Sequence, residues 1–304
     1  MKVKNGDVIL VITLMLFLNS LLAQNQQKRY PPLEEFTIAN ISYTNYGDSE
    51  FVKEGQTGKV NFSEIRVGFV LPKILENKKT ILINGFEFTS LKPMFSEVEN
   101  THSITRNFYS FGYRFAILNP IGKKGWNYSV GLKPTLASDF DEKISSEDFI
   151  LQASVLFSKR SNEFFKYGFG ISFNTRFGKE QVLPVIQLVY KKNNWGTYAY
   201  LPAFVGSFYH FKSSKIGLSI NLNGNSYNYR NMGDTGLDLD KLSFSRINFG
   251  PEYEFSLMNS LKINVNGGIT VSNKLDWLNS NDKSELDLSP KSKPFIKIGL
   301  KFLK

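Results

Sequence analysis

Apolar and polar residues alternate with period two in run after run of this chain. Successive side chains of an extended strand point to opposite faces, so each such run has one apolar and one polar face. Ile65, Val67, Phe69 and Leu71 lie opposite Arg66, Gly68 and Val70. Tyr109, Phe111, Tyr113, Phe115 and Ile117 oppose Ser110, Gly112, Arg114 and Ala116. The pattern returns at 167–177, 216–223, 247–255, 261–271 and at the C-terminus. An all-β fold follows, and the open question is which face is inside. A soluble sandwich buries the apolar face. A membrane barrel turns it to lipid and lines its interior with Gly, Ser, Asn and Arg.

Strand length favours the barrel: many runs reach about 10–14 residues, where soluble strands average five or six and a tilted membrane strand takes about 9–11. Fourteen strands are read near 36–46, 59–72, 80–91, 104–119, 126–139, 148–160, 165–177, 182–191, 195–201, 204–211, 215–225, 242–257, 261–273 and 294–303. Tight turns at 161–164, 192–194, 212–214 and 258–260 alternate with long connections at 47–58, 92–103, 226–241 and 274–293. Short periplasmic turns and longer outer loops are the asymmetry of such barrels. Both chain ends then lie on one side, so the strand number is even. A hairpin at 201–206, with Pro202 at its tip where a missing N–H is harmless, gives fourteen; twelve is the alternative.

Aromatic residues make up 14% of the chain, and Trp126, Tyr128, Tyr167, Trp195, Phe211 and Phe255 fall beside the short turns, where an interfacial girdle belongs. Charge sorts by loop length. Short turns carry Lys73, Lys78, Lys79, Lys123, Lys124, Lys191, Lys192, Lys212 and Lys215, whereas the long loops hold Asp139, Asp141, Glu142, Glu147, Asp148, Asp234, Asp238 and Asp240. The net charge of +10 is thus dispersed rather than gathered in a patch, which argues against nucleic acid as the partner.

Residues 1–23 read as a secretory signal: Lys2 and Lys4, an apolar stretch over 8–22, and Ala23 before a polar run. Residues 24–35 form a short periplasmic lead and 36–304 the barrel. No second long apolar stretch follows, so a helical membrane protein is excluded. The chain has no cysteine, which removes disulfides, thiolate catalysis, Cys-ligated metals and a lipoprotein anchor.

In the last run, Ile296, Ile298, Leu300 and Phe302 share a face opposite Lys297, Gly299 and Lys301. This resembles the terminal strand by which the barrel-assembly machinery recognises its clients, with the aromatic two residues early. The segment Tyr167-Gly-Phe-Gly-Ile-Ser-Phe-Asn-Thr-Arg-Phe-Gly178, with Leu183-Pro184, Trp195 and Leu201-Pro202, and Gly217-Leu-Ser-Ile-Asn-Leu-Asn-Gly-Asn225, resembles a family of uncharacterised outer-membrane β-barrel proteins of Bacteroidetes-type bacteria. The resemblance implies fold and location and assigns no substrate.

Catalytic chemistry finds little support. Of the two histidines, His102 adjoins Ser103 on the opposite face, and His210 has Lys212 at its next same-face position; a structural role suits both. Asp234, Asp238 and Asp240 are a weak cation candidate, lacking the spacing and bidentate Glu of an EF-hand; a solvated surface loop is the blander reading, and sharing of divalent cations between the acidic loops and lipopolysaccharide is a separate hypothesis. No cofactor is expected. The functional expectation rests on the interior, where this register places Glu64, Arg66, Arg114, Lys133, Arg176, Arg246, Glu252, Glu254, Lys297 and Lys301. Such charges either pair across a filled barrel and hold it shut, or line a wet channel whose cationic excess favours anions. The expectation is an outer-membrane barrel, not an enzyme, acting as a passive, porin-like channel for small solutes. The alternatives are a closed barrel with a structural or surface-binding role and a soluble exported β-sandwich that binds a ligand.

Overall fold

The computed structural model describes residues 37–53, 56–77, 79–96, 106–122, 125–229 and 239–303. The signal and lead, His102, Asp234, Asp238, Lys78, Lys123 and Lys124 lie outside the described residues. The strands are β1 (Thr37–Lys53), β2 (Gln56–Ile74), β3 (Ile81–Ser96), β4 (Phe108–Ile121) and β5 (Trp126–Ser138). A 3₁₀ turn (Ser146–Asp148) precedes β6 (Phe149–Arg160), β7 (Phe165–Asn174), β8 (Gln181–Lys192), β9 (Trp195–Leu201) and β10 (Phe204–His210). Then come β11 (Ser214–Asn228), β12 (Lys241–Met258), β13 (Leu261–Leu278), β14 (Ser284–Asp287) and β15 (Pro294–Leu303). Each of β1 to β13 pairs antiparallel with the next, while β15 pairs with β13 on one side and β1 on the other. The sheet thus closes as a fourteen-stranded membrane-spanning barrel, with β14 a short flap on β13 alone. Closure overturns the sandwich alternative. Thr37 opposite Leu303 puts both ends of the barrel chain at one rim, the terminal rim.

The apolar faces point outward. Tyr43, Ile65, Phe86, Phe111, Phe169, Ile171, Leu218 and Ile298 are 42–63% exposed. A belt of that extent would aggregate in water and matches the lipid-facing band of a barrel. At the terminal rim the aromatic residues meet: Trp126 packs edge-on against Tyr167 at 6.0 Å, and Trp195 against Tyr209 at 5.5 Å. Lys159 Nζ lies 5.6 Å from the Trp126 ring, the arrangement of an amphipathic girdle with its charges toward water.

The far ends depart from the sequence expectation. β1 and β2 run on through most of 47–58, past a bulge between Tyr46 and Ser49, so a long loop is replaced by paired strands. β13 likewise reaches Leu278, and 274–293 holds β14. Polar interruptions such as Gly47-Asp48 break the alternation, yet backbone N–H and C=O groups still require partners, and the inward residues here have a core to enter. That core gathers Tyr46, Val60, Phe62, Leu91, Phe108, Tyr227, Tyr229, Leu242, Phe244, Leu275 and Trp277, nearly all fully buried. Phe108 of β4 meets Tyr227, Tyr229 and Trp277 from the opposite wall at 5.5, 6.1 and 5.7 Å. The far end is therefore capped from within by packed rings.

The barrel tapers to reach this cap. β9 and β10 have seven residues each, short of a full span. Pairing of β10 with β11 stops at Phe204 opposite Asn221, with one more bond from Leu222 N–H to the Ala203 carbonyl, 2.9 Å. Beyond that β11 crosses inward and meets β5, Asn228 opposite Ser138, in the one parallel contact among the described residues. Asn228 Nδ2 donates to Asp148 Oδ1 at 2.7 Å, which anchors the crossing to the 3₁₀ turn.

On the flap, Asp276 of β13 sits directly opposite Asp287 of β14, above the apolar belt that ends at Val271. Burial and the facing carboxyl push Asp276 up to about 6, against a small opposing pull from Lys274. A raised carboxyl favours the folded flap below the free-acid range near 4, and that advantage disappears as pH rises through about 6. Asp287→Asn is expected to flatten this dependence. Amide exchange at Leu288, whose N–H bonds the Leu275 carbonyl, checks it after correction for intrinsic rates: protection in the parent falls between pH 4 and 7, and the variant's falls less, because the burial of Asp276 remains.

Candidate functional site

Beneath the cap the interior is polar. Glu64 and Arg66 on β2 form an ion pair, Arg66 Nε to Glu64 Oε1 at 2.7 Å. Arg66 also reaches Asn223 Oδ1 of β11 at 3.4 Å, so this pair spans the lumen directly below the rings. Glu87 on β3 holds two cations: Lys133 Nζ of β5 at 2.9 Å and Arg114 Nη2 of β4 at 3.2 Å. The Arg114 side chain remains 48% exposed, so water reaches this level. Lys297 enters from β15, and among the described residues it makes no ion pair. The wall thus carries more positive than negative charge.

Nearer the terminal rim, Glu254 of β12 is nearly buried among three lysines: Lys301 at 2.5 Å, and Lys215 and Lys262 at 3.6 Å each. Beside it, Asn264 Nδ2 donates to Glu252 Oε1 at 2.8 Å. Charges at this level pair sideways along the wall, Lys215 and Lys262 from the strands flanking β12 and Lys301 from β15, one strand beyond β13. His210 lies on the inner face of β10, 3.4 Å from the Tyr198 hydroxyl. Asp240 N–H bonds the Leu278 carbonyl at 2.8 Å and helps to seat β12 on β13.

Two residues of the expected interior sit differently from the rest. Arg246 is fully buried in the cap, its guanidinium carbon 3.8 Å from the Phe62 centroid, 4.7 Å from Tyr46 and 4.8 Å from Phe244. It is a cation held by ring faces, away from the wet wall. Arg176 is not on a strand: β7 ends at Asn174, whose Oδ1 accepts from Arg176 N–H at 3.0 Å. Gly178, at φ +83°, completes the turn and takes the chain out of the extended state. The β7–β8 loop then leans on the unpaired far edge of β11. Arg176 Nη1 lies 3.5 Å from the Leu222 carbonyl and Thr175 Oγ1 donates to Asn225 at 2.8 Å. Gly224 makes room for it, since a Cβ there would come within 2.1 Å of the Arg176 carbonyl.

Glu87, Lys215 and Lys262 belong to the interior and were not among the expected residues. Glu87 stands between Phe86 and Phe88, and that alternation is the signal by which it is found. Lys215 and Lys262 begin their strands, where a turn lysine and a lumen lysine look alike in sequence.

A family model described as Domain of unknown function (DUF6268) matches residues 19–302. The chain belongs to the DUF6268 family. Comparison with curated proteins gives no match. Among solved structures, this DUF6268 barrel is similar to the COG4313 outer membrane channel from Pseudomonas putida F1, at 12% identity and TM-score 0.43, over 91% of this chain and 100% of that one. It is also similar to a deltaS2 mutant of the TodX monoaromatic hydrocarbon channel, at 6% identity and TM-score 0.42, over 88% and 89%. Outer membrane phospholipase A from Escherichia coli matches at 9% identity and TM-score 0.37, over 89% and 94%. Likenesses at this level assign no activity.

Proposed function

We propose that the chain is exported by its N-terminal signal, sits in the outer membrane with its terminal rim toward the periplasm, and passes small anions. The carrying observation is the lining of the chamber: among the described residues Arg66, Arg114, Lys133 and Lys297 on the wall, with Arg176 on the β7–β8 loop, outnumber the Glu64, Glu87 and Glu252 carboxylates that face them. Carboxylates compensate part of this charge, and the remainder attracts anions from water. The ring cap blocks the straight route along the axis. Passage therefore leaves the chamber beside the β9–β10 hairpin, where the wall is lowest and the β7–β8 loop covers the β11 edge. In this reading β15, which closes the seam with β1, is the strand that the assembly machinery engages, and the acidic far-end loops face lipopolysaccharide.

Planar-bilayer recording tests the reading. In a potassium chloride gradient the reversal potential is expected on the chloride side of zero. Arg114→Ala with Arg176→Ala is expected to lower the chloride-to-potassium permeability ratio by about threefold or more, since each removes a full charge from a low-dielectric wall. An unchanged ratio contradicts the role given to these residues. The ring cap itself favours a second reading, a closed barrel with a structural or surface-binding role, which gives no current steps at all.

A further inference from the structure

The inner face of the β9–β10 hairpin is aromatic where the rest of the chamber wall is polar. Tyr200 and Phe204 are direct cross-strand partners at its tip, and Phe208 follows on the same face. Gly206 lies between the two phenylalanines; a Cβ there would come within 2.5 Å of the Phe208 ring and 2.7 Å of the Phe204 ring, so the glycine lets both rings lie along the wall. Tyr200 is 39% exposed and lies within electrostatic reach of both Arg176 and Arg114. Those two cations are under-compensated. Arg114 shares Glu87 with Lys133, and Arg176 makes no ion pair among the described residues. An apolar surface and two guanidinium forks therefore meet at one water-accessible place.

We infer that this place is a binding site for a small amphipathic organic anion: a carboxylate or phosphate held by Arg114 and Arg176, with an aromatic or aliphatic body laid on Tyr200 and Phe204. Planar guanidinium forks match two oxygens of such a group, and ring faces take up the body by stacking and area burial. An inorganic anion uses half of this surface and a neutral hydrocarbon the other half. The inference deepens the channel reading and rests on it for the anion preference of the chamber, but the site is testable without any current.

Isothermal calorimetry on the detergent-solubilised, folded barrel is the test, with benzoate and phenyl phosphate as probes and acetate, inorganic phosphate and benzyl alcohol as their halves. Each probe is expected to bind at least about tenfold more tightly than either of its halves. Arg114→Gln with Arg176→Gln is expected to reduce benzoate to the level of benzyl alcohol, and Tyr200→Ala with Phe204→Ala to the level of acetate. Should a double variant fail to fold, as judged by loss of the heat-dependent mobility shift in SDS, Arg176→Lys replaces it; it keeps the charge, loses the fork and is expected to weaken phenyl phosphate several-fold. Acetate or benzyl alcohol binding as tightly as benzoate overturns the site, as does benzoate binding that the arginine variants leave unchanged. A barrel that binds benzoate but carries no current supports the site and overturns passage. One that conducts anions but binds no probe overturns the site alone.

Discussion

Trp277→Ala is expected to cost the barrel about 3–5 kcal/mol, the range for deleting a large buried aromatic. Trp277 is fully buried, packs edge-on against Tyr229 at 4.6 Å and touches Phe108 across the lumen at 5.7 Å. Its removal leaves a void where β4, β11 and β13 meet, and the crossing of β11 to β5 prevents those walls from closing in on it. The loss belongs to the far end, so the apolar belt and the terminal-rim girdle remain intact. The temperature at which the folded band converts to the slow band in SDS is expected to fall markedly, with the barrel still assembled at room temperature. Phe108→Ala, on the opposite wall, acts on the same packing, and the double variant is expected to cost less than the sum of the two. A conversion temperature equal to the parent's would mean that the rings do not carry the cap.

The second large effect is at Arg246. Arg246→Ala is expected to cost about 3 kcal/mol or more, because it empties a box walled by Tyr46, Phe62 and Phe244 and takes away three ring contacts. Arg246→Met, of similar length and without charge, is expected to leave stability near the parent's or raise it, since an apolar replacement removes the burden of a buried charge. Asn273, which accepts from Arg246 Nε at 2.9 Å, loses one bond in either variant and moderates the gain. Thermal conversion of the two variants side by side checks this. Equal losses for Ala and Met would show that the charge, and not the filling of the box, holds the site.

The strand count and the inward or outward direction of most residues were legible because lipid imposes an unbroken code. Every outward position in the belt must be apolar, so Ile65, Phe111 and Ile298 announce the register of their strands. The tight turns at the terminal rim were legible for a related reason: the alternation stops and resumes within a few residues. Above the belt that code ends. β1, β2 and β13 continue as strands there, but their inner face is the apolar one and their outer face meets water, the reverse of the pattern below. A reading tuned to the belt takes such stretches for loops. The position of Arg176 was hidden by the same pattern, because Thr175 and Phe177 continue the alternation of β7 while Asn174 and Gly178 form a turn. Arg246 reads as a lumen charge in sequence, and only the folded cap brings three rings around it. The crossing of β11 to β5 is a long-range contact between strands that local patterning treats as unrelated.

The central claim is a barrel with a wet basic chamber below a dry cap, and the absence of native cysteine makes it directly measurable. Single cysteines at Arg114 in the chamber and Ala137 in the cap, both on inward faces, are to be exposed to a charged, water-soluble thiol reagent in the folded protein. Arg114→Cys is expected to label rapidly and Ala137→Cys, at a site 1% exposed, to label only after heating. Rapid labelling at both positions would contradict the sealed cap, and protection at both would contradict the wet chamber.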